Sequence, residues 1–113
     1  MKNITILLNR VWFPADQSSK VAKAFIDALK EVPPDNTIEK NLAIFVSSEE
    51  NGNILAYGIG EIMGGKEKEA LQRNIKQNLF MASKVDGIKY KSEVLLDFRE
   101  AYKILGMTAP EEV

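Results

Sequence analysis

The sequence contains no cysteine and no histidine. The first absence excludes disulfides, thiolate nucleophiles and thiolate metal sites. The second removes the most frequent general base and the most frequent metal ligand. No sign of charge dominates, because 15 basic residues meet 16 acidic ones and leave a net charge of −1. That balance lacks the basic footprint that nucleic acid or an anionic membrane would require, so neither is expected as a partner. Long hydrophobic runs are also missing. The apolar stretch Ile4-Thr5-Ile6-Leu7-Leu8 is too short for a membrane span or a signal-peptide core, and a cytoplasmic location is expected. The 113 residues suit a single domain with one core.

The remaining sequence is organised around residues 42–63. Two strand-like runs flank Asn51-Gly52, a pair that favours a two-residue type I′ turn. With that turn, Val46 faces Tyr57, Ile44 faces Ile59 and Phe45 lies over Gly58. One face of the hairpin then holds Leu42, Ile44, Val46, Leu55, Tyr57 and Ile59. The other holds Ala43, Phe45, Ser47, Ile54, Ala56, Gly58 and Gly60. Neither face is polar throughout, so both are expected to be covered at least in part.

Residues 3–13 read as a first strand with apolar residues on both sides, which is the pattern of a central strand. Asp16 is an expected N-cap for a helix over residues 17–32, where Val21, Ala24, Phe25, Ala28, Leu29 and Val32 form one apolar stripe. Pro33-Pro34 ends that helix. Gly64-Gly65 opens a second helix over residues 66–85, with Leu71, Ile75, Asn78, Leu79, Ala82 and Val85 along its buried side. Asp86-Gly87 closes it. Residues 88–95 alternate apolar positions with Lys89, Lys91 and Glu93, as an edge strand does. Asp97 caps a short helix that ends at Gly106.

The order β-α-β-β-α-β plus a short C-terminal helix is the ferredoxin-like split βαβ arrangement, an α+β fold with both long helices on one face of a four-stranded antiparallel sheet. It occupies residues 1–106, with 107–113 as a flexible tail. Right-handed crossovers place the first and third strands in the centre. The heavier hairpin face, joined by Ile4, Ile6 and Leu8, is expected beneath the helices. Thr5, Leu7, Asn9, Val11, Phe45, Ser47, Ala56, Gly58, Lys89, Lys91 and Glu93 are then left on the open face.

Several motifs weigh less than they first suggest. Gly60-Glu61-Ile62-Met63-Gly64-Gly65-Lys66 has the spacing of a phosphate-binding P-loop. Glu67 stands where Ser or Thr should meet Mg²⁺, and the chain is too small for the parallel sheet a P-loop needs. Trp12, Phe13, Tyr57 and Tyr90 are aromatic, but the third strand lacks the basic-glycine-aromatic pattern of RNA-recognition modules. The arginine-bearing phosphate loop of acylphosphatases is not found near the first strand. The carboxylate pairs Glu49-Glu50, Glu67/Glu69 and Glu111-Glu112 have no histidine beside them. No metal and no cofactor is assigned.

With its two-sided strands and this element order, the stretch 3–105 resembles a subunit of the dimeric α+β barrel superfamily, in which two ferredoxin-like sheets pack face to face. The resemblance implies a homodimer. Relatives include cofactor-independent oxygenases, muconolactone-isomerase-like proteins and haem-degrading enzymes. The last branch carries a histidine ligand that this sequence does not have. The oxygenases use Asn and Trp near the pocket, which points to Asn9 and Trp12. The expected reading is a homodimer that binds a small organic ligand near Asn9, Trp12, Phe45, Ser47 and Tyr57, with Leu7, Val11, Phe45 and Ile54 at the dimer interface. A cofactor-independent oxygenase or isomerase is the alternative, and a non-catalytic structural or regulatory subunit is the second alternative.

Overall fold

The computed structural model describes residues 4–112, so the expectations for Asn3 and Val113 lie outside the described residues. Strand β1 (Thr5–Pro14) leads through a short 3₁₀ turn (Ala15–Gln17) into α1 (Ser18–Glu31). The hairpin of β2 (Glu39–Ser48) and β3 (Asn53–Ile62) follows, then α2 (Glu67–Lys84), β4 (Lys89–Leu96) and α3 (Phe98–Ile104). The four strands form one antiparallel sheet in the order β2-β3-β1-β4, so β1 and β3 are central. This is the expected ferredoxin-like α+β fold. Asp97 caps α3, its carboxylate accepting from the Arg99 amide at 2.8 Å. Asp16 does not cap α1: it lies within the 3₁₀ turn, and Gln17 holds the cap position without a side-chain bond.

The hairpin departs from the expected turn. Its loop has three residues, Glu50, Asn51 and Gly52, closed by the Glu49 amide donating to the Asn53 carbonyl at 2.8 Å. Gly52 alone adopts positive φ, at +81°, and no non-glycine residue does so among the described residues. A type I′ turn needs two such residues, whereas a three-residue loop ending in one left-handed glycine needs only this one. The ladder therefore pairs Phe45 with Tyr57, Val46 with Ala56 and Ile44 with Gly58. A one-residue change in register reverses the faces of one strand relative to the other.

β1 is reversed as well. Leu7 is 1% exposed and packs with Ile62 and Ala70, and Val11 and Phe13 pack with Val21, Ala24, Ala28, Met81 and Val85. The helices thus cover Leu7, Asn9, Val11 and Phe13, with Ile54, Ala56, Gly58, Gly60 and Ile62 beside them on β3. Leu7, Val11 and Ile54 consequently belong to the core side and are withdrawn from the dimer face assigned to them. The open face carries Ile6, Leu8, Arg10 and Trp12 of β1, then Tyr57 and Ile59 of β3, with Leu55 on the same side but buried. Phe45 and Ser47 join it from β2, and Lys89, Lys91 and Glu93 from β4, as expected for those strands. On α2, Leu79 points to solvent and Met81 fills the core in its place. No helix among the described residues is long and apolar enough to cross a membrane.

An added Cβ at Gly52 would meet no atom within 4 Å, so substitutions there report backbone strain and not crowding. Gly52→Val is expected to cost about 1–2 kcal/mol, the scale of left-handed strain per residue, and Gly52→Asn distinctly less. Urea denaturation of both variants measures the difference. Equal costs would mean that the left-handed conformation is not what the position demands.

Candidate functional site

A half-enclosed cavity of about 580 Å³ lies between the helices and the β2–β3 side of the sheet. It exists because of where the helices sit and what β3 places beneath them. α2 packs on β4 and β1, and α1 packs on β1 and α2, while among the described residues neither helix packs as closely on β2. Below the gap β3 presents Ala56 and Gly58, residues too small to fill it. Val21, Phe25 and Leu29 of α1 and Val32 beyond it make one wall, and Ile44 and Val46 of β2 the other. A mostly apolar cavity of this size, with a few polar groups, suits a small organic molecule.

The polar floor is a network of amides. Asn9 lies in a cross-strand row with Gly58 and Ser92, facing α2. Its Nδ2 donates to Asn78 Oδ1 at 3.1 Å, and Asn78 Nδ2 donates back to Asn9 Oδ1 at 2.9 Å. Ser92 Oγ lies 3.3 Å from Asn78 Nδ2 and donates to Asn74 Oδ1. Asn78 is 2% exposed, and no buried side-chain N or O atom among the described residues lacks a partner. The network separates the Leu7 cluster from the Val11–Phe13 cluster, so it also fixes how α2 docks on β1.

Charged groups gather at the other end of the cavity. Glu39 lies beside Ile62 in the ladder, and its carboxylate leans over Gly60, where a side chain on residue 60 would collide with it. Burial pushes the Glu39 carboxyl above the usual glutamate range, and the Arg73 guanidinium partly opposes that shift. Arg73 itself donates to the Pro33 carbonyl. Asp35 is held below the ordinary aspartate range by the Thr37 hydroxyl, at 2.6 Å, and then by the Thr37 amide, at 3.0 Å. Among the described residues no three acidic side chains converge as a metal-binding group.

The five residues expected at a ligand site divide between the two sides of the sheet. Asn9 lines the cavity. Trp12, Phe45, Ser47 and Tyr57 share the open face, in the adjacent rows Ser47–Leu55–Trp12 and Phe45–Tyr57–Arg10. Tyr57 is nevertheless among the residues that line the cavity, in the β3 floor between Ala56 and Gly58. Asn9 and Trp12 therefore do not form the pair that the oxygenase resemblance implied, since three positions along a strand place them on opposite faces. Sequence reasoning missed Asn74, Glu39 and Arg73. The first is an unremarkable surface residue until the fold sets it beside Ser92, and only Gly60 hinted at a close approach.

No protein-family model matches this sequence, and no curated protein does. Solved structures do show the same fold. The chain is similar to the de novo designed protein Foldit4, with a TM-score of 0.52 and 10% identity over 83% of this chain and 98% of that one. It is similar to a protein of Nitrosomonas europaea described, by assignment, as an antibiotic biosynthesis monooxygenase, with a TM-score of 0.51 and 10% identity over 86% and 93%. It is also similar to the C-terminal domain of the MgtC protein from Mycobacterium tuberculosis, with a TM-score of 0.50 and 9% identity over 82% and 92%. At such identities the likeness extends to the fold alone.

Removing one amide of the reciprocal pair is expected to expose the other as an unsatisfied buried group. Asn78→Leu should destabilise by about 1–3 kcal/mol, and the Asn9→Leu/Asn78→Leu double variant by less than the sum of the single changes. Denaturant titration of the complete cycle tests this. Strict additivity would show that the two amides do not depend on each other.

Proposed function

We propose that this chain is a small-molecule-binding subunit that pairs with a second copy of itself through the open face of the sheet. The observation that carries the binding half is the apolar cavity over Ala56 and Gly58, with the Asn9 amide network at its floor. A bound molecule would add apolar contacts to Phe25, Leu29, Ile44 and Val46, three of which are exposed in a single chain. Catalysis is the weaker reading. The Asn9 and Asn78 amides are occupied with each other, Trp12 lies on the far side of the sheet, and no histidine or cysteine is present to move a proton or attack a substrate.

The pairing half rests on surface that one copy leaves uncovered. Phe45 is 58% exposed in the same row as Tyr57 and Arg10, and Leu8, Trp12 and Ile59 continue the apolar field beside it. Ile104 of α3 and the adjoining Leu105 and Met107 are also exposed. A self-complementary contact about a two-fold axis would cover the sheet face against its own copy.

Nile red, a neutral lipophilic dye, tests the cavity. Saturable fluorescence enhancement is expected, and Gly58→Val should weaken binding about tenfold, a loss of about 1.4 kcal/mol. An added Cβ at residue 58 meets only the Asn9 Cβ at 3.9 Å, an ordinary contact, so the branch point of the new side chain fits and its methyl groups take up cavity space; thermal denaturation of the variant checks that the fold is kept. Absence of saturable binding, or affinity unchanged by Gly58→Val, would sink the cavity reading. For the pairing, sedimentation equilibrium at micromolar concentration should give a dimer, and Phe45→Glu should give a folded monomer. A monomeric wild-type chain would refute it.

A further inference from the structure

We propose that the molecule bound in this cavity is an amine, its apolar body lying between Phe25 and Val46 and its ammonium group seated on the Glu39 carboxylate. The inference rests on the cavity reading above and adds the chemical class of the ligand. Glu39 is the cavity's one polar side chain with a formal charge and no hydrogen-bond partner among the described residues. Asp35 is engaged by Thr37, and Arg73 donates to the Pro33 carbonyl. The amides at the floor are likewise committed to one another and to Ser92.

An ionised carboxylate only accepts hydrogen bonds, so whatever satisfies Glu39 must donate. Half-burial without a partner disfavours the charged form, which is the direction in which its carboxyl is shifted. A cationic donor would offset that cost most fully, since hydrogen bonds between ionised partners are the stronger kind. The wider charge agrees. Two carboxylates, Glu39 and Asp35, line the cavity against the single guanidinium of Arg73. The glycine at position 60 has a role in this arrangement too. Any side chain there would occupy the space of the Glu39 carboxylate, whose Oε2 would overlap an added Cβ.

The test uses three ligands of one shape: 4-phenylbutylamine, 4-phenylbutanol and 4-phenylbutanoate, each competing with Nile red on the full chain. The amine is expected to displace the dye at a concentration about tenfold below the alcohol, with the acid weakest, as a charge-assisted contact predicts. Glu39→Gln keeps the shape of the side chain and should bring amine and alcohol together. Gly60→Ala, which displaces the carboxylate without removing it, should narrow the same gap. Each competition in Glu39→Gln is referred to that variant's own Nile red affinity, so a change in dye binding does not enter the comparison. Dye that binds with no amine preference overturns this inference while leaving the cavity reading intact, as does a preference that persists in Glu39→Gln. Dye that does not bind overturns the cavity reading first.

Discussion

The three-residue loop between β2 and β3 sets the geometry on which both the core and the cavity depend. Glu49 and Asn53 close it through one backbone bond, the Gly52 amide donates to the Glu49 carbonyl, and the Gly52 carbonyl accepts from the Ala15 amide at the end of β1. The loop is thereby tied to both central strands. Because side chains alternate with a period of two, this closure decides which β2 residues share a face with Ala56 and Gly58, which their pairing with β1 turns toward the helices. It sets Ile44 and Val46 on that side and Phe45 and Ser47 on the other, beside Leu55 and Tyr57. A loop one residue shorter would turn Ile44 and Val46 away from the cavity and bring Phe45 and Ser47 beside Gly58 and Ala56 in their place.

The cavity follows from this phase together with the footprint of two helices on four strands. α1 and α2 pack on each other and mainly over β1 and β4, which leaves β2 the less closely covered. The small residues of β3 deepen the gap where a larger side chain would have closed it. The amide network then does two jobs in one place. It satisfies the polar groups between two apolar clusters, and it supplies polar surface at the cavity floor. A fully bonded network of this kind specifies one docking of α2, since any shift of the helix would leave Asn78 unpaired at a cost comparable to a lost core methyl group or more.

Much of the architecture was legible in the residues. The stripe Val21-Ala24-Ala28-Val32 marked α1, Asp97 marked the start of α3, and the element order marked the sheet topology. The faces were less legible for definable reasons. β1 carries Ile6 and Leu8 on one side and Leu7, Val11 and Phe13 on the other, so hydrophobicity alone does not choose between them. Asn51-Gly52 is compatible with loops of two or three residues, and the error of one residue carried through all of β3. The Asn9–Asn78 pair spans 69 residues of sequence, and nothing local to either asparagine marks it. A lone Asn in the stripe of α2 was visible; the partner that explains it was not.

The open face shows how an apolar surface can carry charge without leaving it unpaired. Arg10 lies among Leu8, Trp12 and Tyr57 near the centre of the sheet, and a solitary guanidinium there would oppose any dry contact. It is instead paired with Glu93 on the neighbouring strand, and both side chains are already 29% exposed only. Part of the desolvation cost is therefore met within one chain, before a second surface approaches. Lys91, 4.0 Å from Glu93, stays well exposed at the β4 edge, where its ammonium can remain in water whatever covers the centre. The face therefore balances its charge at the middle and keeps the exposed Lys91 ammonium at the margin.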